Sequence, residues 1–197
     1  MQGSSVSSRK RIVTGLFVLF AVWYVYRASP VRQISDAHYT VLASWALIDG
    51  HGMVLDSYLR SGPADPVIRP GLRRGSDVHQ LPYQLEQAKG HLRLRYPPGS
   101  AVLSAPLLAL MRPFGYAPVD SAGLYDPEEE RRIIEHLAYF IAAVFILLVY
   151  LTATELLPNR WALAIVFTAA FASPAWSTLS RGLWSHTWLA VLSAAEK

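Results

Sequence analysis

Residues 161–180 read WALAIVFTAAFASPAWSTLS, with no charged side chain between Arg160 and Arg181. A helix needs about 20 mostly apolar residues to cross ~30 Å of hydrocarbon, so this run is long enough to span a bilayer. Residues 137–154 (LAYFIAAVFILLVYLTAT) form a second uncharged stretch of nearly that length, and residues 12–26 (IVTGLFVLFAVWYVY) a shorter third. A fourth begins at residues 182–195. The expected fold class is an all-α integral membrane protein. Three to four transmembrane helices and a long external loop carrying juxtamembrane helices would make it up. The expected divisions are residues 1–11 as a cytoplasmic N-terminus, 12–27 as the first span, 28–132 as the external loop, and 133–197 as spans two to four, the last truncated.

Composition agrees with a membrane class. Hydrophobic residues make up 52% of the chain and charged residues only 16%, fewer charges than an ordinary soluble domain carries. There is no cysteine, which excludes disulfides, thiolate chemistry and Cys-ligated metals. The net charge of +4 points to anionic lipid headgroups or phosphorylated substrates. No basic helix or aromatic-basic motif speaks for nucleic acid.

Arg9, Lys10 and Arg11 precede the first apolar run, as in a secretory signal. The run ends in VWYVYR, however, with no small-x-small cleavage site. Trp23, Tyr24 and Tyr26 read instead as an interfacial aromatic belt on an uncleaved span. The basic cluster should stay cytoplasmic, which places residues 28–132 outside and the short turn Pro158, Asn159, Arg160 inside. The expected location is the inner (plasma) membrane, multi-pass. Arg131 and Arg132, at the outer end of the second span, do not fit the charge rule. A competing topology would make residues 101–111 a span, but about eleven residues containing Pro106 suit an interfacial helix better.

Within the loop, residues 36–49 read as a helix capped by Ser35 or Asp36 and ended by Gly50. Ala37, Val41, Leu42, Trp45 and Ile48 would share one face, laid on the membrane surface. Prolines and glycines make residues 61–75 irregular. HLRLRY, residues 91–96, alternates as a short strand does. Pro97, Pro98 and Gly99 lead into an interfacial helix over residues 100–111, and residues 126–130 form an acidic patch.

Several side chains could carry chemistry. Asp36, just after the first span, can act as a general base on an acceptor hydroxyl or amine, or hold a divalent cation; equally, it can simply cap a helix. Arg93, Arg95 and Lys89 form a basic group whose arginine fork suits phosphate oxygens, or a solvated strand edge. Arg181 and His186, at the outer mouth of spans three and four, can bind phosphate, metal or protons, or serve as plain interfacial polar residues. His38 and His51 are weaker candidates.

The order of these features resembles a known family. A short first span is followed by S-D-A-H-Y at residues 35–39 and a helix ending in D-G. R-Y-P-P-G at residues 95–99, L-x-x-P at 103–106 and L-W-S-H at 183–186 come after it. The pattern is similar to the GT-C superfamily of membrane glycosyltransferases, which includes protein O-mannosyltransferases and the lipid A aminoarabinose transferase. The resemblance implies an inverting sugar transfer from a polyprenyl-phosphate-linked donor at the outer face. It implies Asp36 as the catalytic residue, and Arg95, Tyr96, Pro97 and Pro98 as the donor-side motif beside a juxtamembrane helix. Arg181 and His186 would join the substrate site from spans three and four. A divalent cation is possible in such chemistry; the sugar and acceptor are left open.

Two departures stand out. Relatives with a second functional aspartate carry it between spans three and four, where this chain has S-R-G-L-W-S-H-T with Ser185 and His186. GT-C enzymes also continue through many more spans, so the chain is expected to be an N-terminal portion: a fragment, a truncated gene product, or one part of a split enzyme whose C-terminal half is another chain. The alternative is a non-catalytic membrane protein: a scaffold, a transporter piece or a degenerate remnant. A transporter would break or charge its helices near the midplane. The sequence places its polar residues outside spans two and three instead.

Overall fold

The computed structural model describes residues 8–30, 37–59, 82–183 and 185–196. Asp36 and the irregular segment 61–75 lie outside these residues. The chain divides into two compact units, residues 1–33 with 135–197, and residues 34–134. The fold is mostly helical.

The first unit holds α1 (Ser8–Ala28), most of α5 (Pro127–Leu156), α6 (Asn159–Phe171), α7 (Pro174–Ser177) and α8 (Ser185–Ala195). Two helices, α1 and α5, are long and apolar enough to cross a membrane. The buried residues of α1 are Gly15, Val18, Val22 and Tyr26, spaced three and four apart so that they form one stripe. That stripe packs with Tyr139, Ala143, Ile146 and Tyr150 of α5 and with Ala162, Val166 and Ala170 of α6. Gly15 allows the close approach: a Cβ there would stand 3.1 Å from Leu147 Cδ1. The Arg11 guanidinium donates to Leu151 O at 2.7 Å and meets Glu155 Oε1 at 2.5 Å. At the other end, the Tyr26 hydroxyl donates to Ala170 O at 2.8 Å. Opposite the packed stripe, Phe17 is 72% and Phe20 62% exposed, a face suited to lipid rather than water.

The uncharged run 161–180 is not one helix. α6 ends at Phe171, Ser173 caps α7 by accepting from Ala175 N, and Pro174 stands at the start of α7. Proline cannot continue a helical hydrogen-bond ladder. At 13 residues α6 covers about 20 Å, and α8 has 11, so neither has the length of a straight span.

The second unit is built around α2 (Thr40–Ile48), whose residues from Thr40 to Ala46 are all buried. The surface placement expected for this helix does not suit it, because it has no exposed apolar face; it is the centre of its unit. It packs on α4 (Gly99–Met111), where the Ser44 hydroxyl donates to Ala101 O at 2.8 Å. His51 N bonds Ala46 O and Gly50 N bonds Leu47 O, with Gly50 at φ +79°. This double closure ends the helix at a left-handed residue that glycine adopts without strain. Beyond the short α3 (Asp56–Leu59), β1 (Leu85–Ala88) pairs antiparallel with β2 (His91–Leu94). Leu92 and Leu94 turn inward and His91 outward, as the alternation of HLRLRY requires. α4 then begins at Pro98, its cap residue.

The start of α5 closes this unit. Asp126 Oδ1 accepts from Glu128 N and Glu129 N, with Pro127 following as the first helical residue, a strong N-terminal signal. Arg131 pairs with Glu128, and Arg132 with Glu129 at 3.3 Å. Arg132 also lies 5.0 Å over the Tyr116 ring. Both arginines are thus ion-paired to glutamates one turn earlier on the same helix.

Candidate active site

α2 does not begin at Asp36. Its cap residue is Tyr39, held in the left-handed region at φ 65° and making no side-chain cap bond. The cap comes from Glu130, 91 residues away: Oε2 accepts from Tyr39 N at 2.9 Å, and Oε1 from Leu42 N at 3.0 Å. The Tyr125 hydroxyl donates to Oε2 at 2.5 Å. Glu130 is fully buried. Two of its donors belong to a helix N-terminus, where negative charge is favoured. The expectation of Ser35 or Asp36 as the cap is thus corrected. A left-handed residue at 39 starts the helix late, and a distant carboxylate meets its orphan N–H groups.

Burial pushes the Glu130 carboxyl up from the usual glutamate range; Tyr125, the two N–H groups and the nearby His38 pull it partly back. Burial, reinforced by the Glu130 charge, also raises the phenols of Tyr125 and Tyr39. The Tyr125 and Tyr39 rings lie 5.1 Å apart. The Tyr39 hydroxyl is buried with no hydrogen-bond partner among the described residues. Tyr125 is delivered to Glu130 by a turn in which Asp120 Oδ1 accepts from Ala122 N and Leu124 N.

The donor-side segment joins β2 to α4. Arg95 is exposed, its backbone N–H donating to Gln84 O at 2.8 Å and its Nη1 reaching Tyr83 O at 3.5 Å. Tyr96 is half-buried, while Pro97 and Pro98 are exposed. A hairpin on one side and a helix start on the other thus anchor the guanidinium's backbone. Arg181 differs from expectation. It is only 2% exposed, with Nε donating to Trp176 O at 3.1 Å and its guanidinium 4.6 Å over the Trp176 ring. His186 is exposed in the first turn of α8, with Nδ1 3.4 Å from Ser185 Oγ. Arg95, Tyr96, Pro97 and Pro98 belong to the second unit and Arg181 and His186 to the first. The described residues hold no group of three histidine, aspartate or glutamate side chains able to bind a metal.

One further polar network escaped the sequence. The Tyr58 hydroxyl donates to Asp49 Oδ2 at 3.2 Å and lies 3.0 Å from His51 Nδ1. Asp49 Oδ1 accepts from Arg112 at 2.9 Å, and that guanidinium sits 4.5 Å over the Trp45 ring. Burial, with Asp49 beside it, pushes Tyr58 up to about 12, so it stays a donor at neutral pH. Glu130 was visible only as part of an acidic patch, because nothing local distinguishes it from Glu128 or Glu129.

Comparison with known protein families, curated proteins and solved structures returned no match.

Proposed function

We propose that this chain belongs to a multi-pass plasma-membrane glycosyltransferase of the GT-C type. Its N-terminus is cytoplasmic, residues 28–132 lie outside, and the sugar comes from a polyprenyl-phosphate donor. One observation carries this assignment. At the start of α2 the N–H groups of Tyr39 and Leu42 are met by Glu130, so those two donors do not depend on Asp36, which the sequence places on the connection between α1 and α2. In this scheme Asp36 takes the proton from an acceptor hydroxyl or amine as that atom bonds the anomeric carbon. The bond from that carbon to the phosphate oxygen breaks, and polyprenyl phosphate leaves. Arg95 faces the phosphate with its bidentate fork. On α4, Val102 and Leu110 are exposed two turns apart, and Phe114 is exposed just past its end, apolar groups suited to the headgroup boundary. α6 and the segment after it make the third crossing, and α8 begins the fourth.

A non-catalytic scaffold is favoured by one observation, the enclosure of Arg181 away from any surface ligand. Asp36→Asn separates the two. Asn has nearly the size and shape of Asp, so the variant inserts normally, and loss of the base lowers sugar transfer in membrane vesicles by about 10²- to 10⁴-fold. Undiminished transfer by an inserted Asn variant removes Asp36 from the mechanism.

A further inference from the structure

A cleft of about 560 Å³ lies beside the N-termini of α1 and α6, lined by Arg9, Lys10, Val13, Thr14 and Asn159. Every polar side chain on its wall can offer a donor. Arg9 and Lys10 are exposed and make no ion pair with another described residue. Their neighbour Arg11 is engaged with Glu155 and Leu151, which uses the nearby acid and leaves the cleft cationic. Asn159 is oriented by Tyr150, whose hydroxyl donates to its Oδ1 at 2.9 Å; the amide N–H₂ is left to face elsewhere. The cap residue of α6, Pro158, makes no side-chain cap bond, so the first N–H groups of that helix add to the positive field. Directly along α1 from the cleft, Ile12, Leu16 and Phe17 are exposed. A cationic donor cleft above an apolar flank matches a molecule with an anionic head and an acyl tail.

We infer that this cleft binds the phosphodiester headgroup of an anionic phospholipid at the cytoplasmic face. The site rests on the membrane placement proposed above. The test uses the full chain in detergent, titrated with phosphatidylglycerol or with phosphatidylcholine of the same acyl chains, and read by native mass spectrometry. Alkaline carbonate extraction of membranes carrying each variant reports insertion separately, so a failure of membrane placement shows there and not in lipid preference. Phosphatidylglycerol should bind more tightly. Each cation near an anionic lipid is worth roughly a factor of five, so the Arg9→Gln/Lys10→Gln double variant should lose about 25-fold. Asn159→Leu should lose severalfold, while Arg27→Gln at the far end of α1 should lose nothing. Equal binding of the two lipids by inserted protein overturns the site, as does an equal loss from Arg27→Gln. Displacement of the lipid by millimolar inorganic phosphate assigns the cleft to free phosphate and overturns the lipid.

Discussion

Glu130 ties together the start of α2, the turn before α5 and α5 itself within the second unit. Its two oxygens face three donors, so a carboxamide in either orientation would set an N–H₂ against an N–H. Glu130→Gln should therefore destabilise by about 1–3 kcal/mol, the cost of a buried unsatisfied donor. Tyr125→Phe should cost about 1.5 kcal/mol, as expected for a lost bond to a charged group. The carboxyl's raised affinity for protons sets a sign. Between the ordinary glutamate range and its higher native value, the folded state holds a proton that the unfolded chain has released. Stability then falls as pH rises through that window, and is greatest below it. Thermal unfolding in detergent across that range should show this slope in the parent and not in Glu130→Gln. An unchanged slope in the variant would assign the pH dependence to other groups.

At the scale of elements, the close packing of α1 and α5 at Gly15 gives the next expectation. Gly15→Leu drives a side chain into Leu147 and Tyr150 and should cost about 1–3 kcal/mol through overpacking. Leu16→Ala, on the exposed face, should change little; both are read as midpoint shifts in detergent. Equal shifts would mean that the helices do not meet at this point. The elements also show what the sequence could disclose. Runs of apolar residues marked α1 and α5, because length and hydropathy are local properties. The alternation of HLRLRY marked β2, and P-P-G marked the start of α4, because proline geometry is local too. The start of α2 was misplaced because its cap lies on another element, beyond any local signal. The break after Phe171 was written in Ser173 and Pro174, yet an uncharged run of spanning length outweighed one proline. Arg181 was read as surface because its cover, the Trp176 ring and carbonyl, comes from the short helix α7, which the uncharged run hid.

For the whole molecule, the proposed topology puts residues 28–132 outside, between two membrane-crossing helices. The chain contains no cysteine, so each introduced thiol is a unique reporter. Ser121 lies in an exposed turn of the second unit and Arg160 is exposed at the start of α6. Ser121→Cys and Arg160→Cys are each expressed in intact cells and treated with a membrane-impermeant maleimide, before and after permeabilisation. Under that topology, Cys at 121 is labelled in intact cells, and Cys at 160 only once the membrane is opened. Labelling of both in intact cells, or the reverse order, would contradict the topology and the outer-face site built on it.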